Sequence, residues 1–102
     1  MDVKVTVNGE TVAEAPREAL IEIEGNLYFP PSALAPTTLE DSPTPYTCPW
    51  KGECQYHDVL TASGTVHDGA WSYPEPKPTA IEKVGRDFSG YIAFDKSLAT
   101  IG

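Results

Sequence analysis

Val3, Val5 and Val7 alternate with Lys4 and Thr6 at the start of the chain. A period of two puts the valines on one face of a half-buried strand. Asn8-Gly9 follows. This pair suits a type I′ hairpin turn, in which both central residues need positive φ. A return strand is expected over residues 10–15, ended by Pro16-Arg17. Ala19, Ile21 and Ile23 alternate with Leu20, Glu22 and Glu24, giving a third strand with an acidic face. Gly25-Asn26 is the expected turn into a fourth strand starting at Leu27-Tyr28-Phe29, which Pro30-Pro31 stops. Short connections make three of these pieces a meander.

Residues 30–46 break the pattern with five prolines among many serines and threonines. One helical turn at Ser32-Ala33-Leu34 and an extended piece from Thr37 to Glu40 are expected within a long loop. Such a loop in a small domain is usually functional or disordered. Strand patterning resumes at Glu53 to Leu60 and at Ala70 to Tyr73, with a turn at Ala62-Ser63-Gly64-Thr65. The prolines of 74–78 hold that segment extended. Thr79-Ala80-Ile81-Glu82 has the spacing of a capping box, and Gly85 suits a helix end. One short helix is therefore expected at 79–84. Tyr91 to Phe94 and Leu98 to Ile101 supply the last strands.

Composition agrees with a mostly-β fold. Ten prolines and eight glycines in 102 residues disfavour long helices. The length is that of a single domain over 1–102, with a radius of gyration of about 13 Å. The formal net charge of −8 opposes contact with nucleic acid or an anionic membrane, and the seven Lys and Arg are scattered. No apolar run approaches a membrane span, and Met1-Asp2-Val3-Lys4-Val5 does not resemble a signal peptide. A cytoplasmic protein with reduced thiols is the expectation.

Chemistry concentrates in Cys48-Pro49-Trp50-Lys51-Gly52. Proline and glycine make a tight turn that presents Trp50 and Lys51, and an ammonium near Cys48 would favour its thiolate. Cys48, Cys54, His57 and His67 include zinc-ligand types, but their spacing lacks a short C-x2-C knuckle, so no metal is expected. Ser63 or Ser72, His57 or His67, and Asp58 or Asp68 would assemble on paper into a catalytic triad, without a G-x-S-x-G elbow. Neither a P-loop nor G-x-G-x-x-G occurs, and no cofactor is expected. Aromatic residues are the stronger clue. Cys54, Tyr56 and Asp58 share one strand face, and Trp71 and Tyr73 share another. If those faces meet, they wall a small-molecule pocket or an ordinary core.

Tyr28-Phe29-Pro30, Thr47-Cys48-Pro49-Trp50-Lys51-Gly52, Tyr56, Ala70-Trp71-Ser72-Tyr73-Pro74-x-Pro76 and Tyr91-Ile92-Ala93-Phe94 follow one another in this order. Over roughly residues 12–97 the set resembles the bacterial family called domain of unknown function 427, also labelled nucleotidyltransferase-like. The resemblance implies a compact, mostly-β single domain of strongly bent, tent-like sheets. It carries no established activity. Paired carboxylates with a glycine-rich phosphate loop, the equipment of nucleotidyl transfer, are not found. Where the family usually has an acid after Y-F-P, Ala33 stands between Ser32 and Leu34.

The leading expectation is a small-molecule cleft lined by Cys48, Trp50, Lys51, Tyr56, Trp71 and Tyr73, with loop 30–46 as its rim. Lys51 would pair an anionic group, and the rings would stack on a planar part. The alternatives are an enzyme with Cys48 as nucleophile and an interaction module without ligand.

Overall fold

The computed structural model describes residues 1–102. Its first hairpin follows the valine alternation. β1 (Asp2–Val7) pairs antiparallel with β2 (Glu10–Pro16) around Asn8 and Gly9, whose φ values are +52° and +77°. A register shift at Val5/Thr6 breaks the simple alternation on β2, where consecutive Val12 and Ala13 are both buried.

The meander does not form. Arg17–Ala19 is a turn of 3-10 helix, so the third strand shortens to β3 (Ile21–Ile23). It makes a separate two-stranded sheet with β4 (Asn26–Tyr28). The turn residues are Glu24 (φ +53°) and Gly25 (φ +80°), one position earlier than Gly25-Asn26. This is the positive-φ pair that a two-residue hairpin demands.

Pro31–Ala33 forms the expected single helical turn, again 3-10. The proline-rich stretch beyond it is not a loop. Residues Leu39–Cys48 form β5, paired with β6 (Gly52–Thr61). Pro43 and Pro45 are tolerated because β5 is an edge strand whose register shifts between Asp41 and Pro45. The Gln55 side-chain amide donates to the Ser42 carbonyl at 3.0 Å beside this irregularity. β7 (Gly64–Ser72) and β8 (Ile92–Phe94) complete a four-stranded sheet in the order β5-β6-β7-β8.

The helix, α1 (Pro78–Val84), starts one residue earlier than expected, and the capping box is not made. Its N-cap is Lys77, without a side-chain capping bond, and Pro78 occupies the first turn, where a missing N–H costs nothing. Gly85 ends it at φ +85°, donating to the Ile81 carbonyl at 2.8 Å. β9 (Thr100–Ile101) returns to β1, giving the order β2-β1-β9.

The Phe29 and Ile92 backbones exchange two hydrogen bonds of 2.7 and 2.8 Å, which tie the β3–β4 hairpin to β8. One core cluster holds Val3, Val5, Val7, Val12, Phe29 and Phe94 among others. A second gathers Ile21, Ile23, Tyr28, Tyr73 and Phe88 beside α1. The architecture is mostly strand, in several antiparallel sheets with one short helix, and the radius of gyration is 13.0 Å. No helix is long and apolar enough to cross a membrane.

Candidate functional site

The register of β6 and β7 sets Tyr56 opposite Trp71, and that of β5 and β6 sets Tyr46 opposite Cys54. Strand alternation turns these side chains to one face. From the other sheet, Tyr28 accepts a hydrogen bond from the Trp71 indole N–H at 3.0 Å, its ring edge-on to Trp71 at 6.5 Å between centroids. Tyr46 and Tyr56 lie 6.5 Å apart. With Asn26, Lys51 and Tyr73 these residues line an open recess of about 210 Å³.

Four expected residues, Lys51, Tyr56, Trp71 and Tyr73, therefore line one recess. Cys48 and Trp50 do not. Cys48 is 6% exposed within the second core cluster, and Trp50 packs at that cluster's margin. Of the expected rim, residues 30–46, only Tyr46 reaches the recess. Asn26, Tyr28, Tyr46 and Cys54 join the lining. Tyr28 was visible in the Y-F-P block, whereas Tyr46 was hidden in the proline-rich stretch.

Lys51 lies in the connection between β5 and β6, where Gly52 adopts φ +115°. Its side chain is only 7% exposed, and its ammonium is hydrogen-bonded to the Glu24 carboxylate on the β3–β4 turn. The same ammonium stands 5.1 Å from the ring centroids of Trp50 and Tyr73, and the Lys83 ammonium stands 4.7 Å from that of Trp50. Burial alone would push the Lys51 pKa down, but the bond to Glu24 and neighbouring groups outweigh it and the net direction is up. The Glu24 carboxyl is correspondingly held below its usual range, first by the Lys51 hydrogen bond. Lys51 is thus a permanent cation at neutral pH and no amine nucleophile. By alternation alone Glu24 belongs merely to an acidic strand face. Only its position in a positive-φ turn hints that it leaves that face.

Burial raises the pKa of the Tyr28, Tyr56 and Tyr73 phenols and pushes the Cys54 thiol up to about 11. These groups stay protonated at neutral pH and keep their hydrogen-bond donors.

Cys48, Cys54, His57 and His67 do not come together; the residues with potential metal-ligand atoms within 4.8 Å of one another are Asp58, His67 and Asp68. His67 lies between two carboxylates, Nδ1 to Asp58 at 2.9 Å and Nε2 to Asp68 at 3.3 Å. This cluster ties the β6–β7 hairpin together. A Ser–His–Asp chain does form, but with Asp41 as its acid. His57 Nε2 is 2.8 Å from Ser72 Oγ, and Nδ1 is 3.1 Å from Asp41. Burial holds the His57 pKa below its usual value despite Asp41. The neutral ring therefore donates to Asp41 through Nδ1 and accepts from Ser72. For catalysis the burial order is inverted. Ser72 is 4% exposed, while the Asp41 side chain is 79% exposed. A hydrolase needs a reachable serine and a shielded aspartate, so this chain is a link across β5, β6 and β7.

A larger polar groove of about 430 Å³ opens where β7 ends and Pro74 carries the strand away from β6. Thr47, Glu53, Gln55 and Glu75 line it, with none of the six expected residues.

Comparison with the curated proteins finds no match. The sequence does match a family over residues 1–101, wider than the span of the motifs alone, and the family is described as Domain of unknown function (DUF427). The match runs through nearly the whole chain, which belongs to the DUF427 family.

Proposed function

We propose that this protein binds a small planar molecule in the recess between β4, β6 and β7. The supporting observation is the convergence of five aromatic rings, Tyr28, Tyr46, Tyr56, Trp71 and Tyr73, around one open space of about 210 Å³. Aromatic walls with a few placed polar groups are the usual lining of small-molecule sites. Here the polar groups are phenol hydroxyls, the Cys54 thiol, the Asn26 amide and the Lys51 ammonium.

The test is a fragment titration followed by tryptophan fluorescence and by the indole N–H resonances. A planar aromatic fragment should shift the Trp71 resonance. Tyr56→Ala, which opens the wall, should weaken that fragment by about tenfold, the scale of one lost aromatic contact. Binding that survives Tyr56→Ala undiminished would overturn the assignment.

A further inference from the structure

Lys51 is the one formally charged residue in the wall of the aromatic recess. It and its counter-ion are exposed very differently, the Lys51 side chain at 7% and that of Glu24 at 54%. A buried ammonium left without an anion is unfavourable, so the folded protein favours states in which an anion stands beside Lys51. Nothing demands that this anion be Glu24. Its carboxylate sits on a two-residue turn and regains water on leaving. The corner also holds a second ammonium. Lys51 and Lys83 both lie over the Trp50 ring. One carboxylate there faces two cations, a local positive excess in a chain of net charge −8.

We propose that Glu24 is a displaceable internal counter-ion, and that the ligand of the recess is a planar aromatic anion whose carboxylate takes the place of Glu24 on Lys51. This rests on the planar-ligand reading of the recess and adds the charge of its ligand. Glu24 then acts as a specificity gate. A neutral ring gains nothing at Lys51, and a cation is repelled there. Only an anion repeats the interaction that it breaks. If Glu24 occupies Lys51 in about nine molecules of ten, it lowers apparent affinity for the anion about tenfold, the inverse of the competent fraction.

The probes are 4-hydroxybenzoate and its neutral isostere 4-hydroxybenzamide, titrated by calorimetry and by NMR. Glu24→Gln keeps the side-chain shape and removes the competing charge. It should tighten 4-hydroxybenzoate about tenfold and leave 4-hydroxybenzamide within about twofold. Lys51→Met, added to Glu24→Gln, should abolish the preference for the benzoate. In the unmodified protein, 4-hydroxybenzoate should move the Glu24 side-chain carboxyl resonance and 4-hydroxybenzamide should not, a reading that needs no variant to fold. Equal gains for both probes, or a Glu24 resonance that ignores the benzoate, overturn the gate while the planar-ligand site stands. If neither probe disturbs Trp71, the site and the gate fall together.

Discussion

Cys54 shows how far a residue's behaviour depends on its surroundings. Burial raises this thiol to about 11, outweighing the nearby Lys51 charge that draws it down. Alkylation by iodoacetamide should therefore be slow at neutral pH and accelerate as the pH climbs toward that value. A profile levelling off near the free-thiol value of about 8.5 would contradict the burial effect. The same shift has a stability consequence. The folded state holds the Cys54 proton more tightly than the unfolded state does. Its contribution is thus complete below the unfolded pKa and is lost as pH rises through about 11. Lys51 teaches the complementary lesson. Its charge and its rigid Pro49–Gly52 frame were legible in sequence, but Glu24 lies 27 positions away and is brought in by a different hairpin. No local pattern reports such a partner.

At the level of elements, alternation identified β1 because Val3, Val5 and Val7 bury one face against the core. It failed where another constraint overrode it. β5 carries Pro43 and Pro45 and reads as loop, but an edge strand needs only one set of ladder bonds, and its register shift accommodates the prolines. Thr79-x-x-Glu82 has capping-box spacing, but Pro78 is already inside the first turn, so the helix begins before the threonine. Gly69 on β7 shows a packing constraint invisible to pattern. A methyl group there would lie 3.0 Å from side-chain carbons of both Val59 and Val66. Gly69→Ala should cost about 1–3 kcal/mol, the range for overpacking. Urea unfolding checks this, and adding Val66→Ala should restore part of the loss. No cost at all would mean that the β6–β7 hairpin relaxes freely.

Across the whole molecule, the ends of the chain close the first sheet. Gly102 and Lys4 exchange two backbone hydrogen bonds of 3.1 and 3.0 Å, and Ile101 pairs with Val5, which is fully buried. Removing residues 100–102 should destabilise the fold by about 2–4 kcal/mol, from two hydrogen bonds and one half-buried isoleucine. It should also open β1 to edge-to-edge association. Urea unfolding and exchange of the Lys4 amide measure both effects. Unchanged stability would show that β9 is not part of the cooperative unit. By itself, the sequence determined what depends on neighbours in the chain: strand periods, the Asn8-Gly9 turn, the Gly85 cap, the mostly-β class and the family motifs. The tertiary structure alone decided the sheet partners, the anion beside Lys51, the acid beside His57 and the recess that four of the six expected residues share. These are contacts between distant segments, and their register follows from burying two cores at once, not from the preferences of any one stretch.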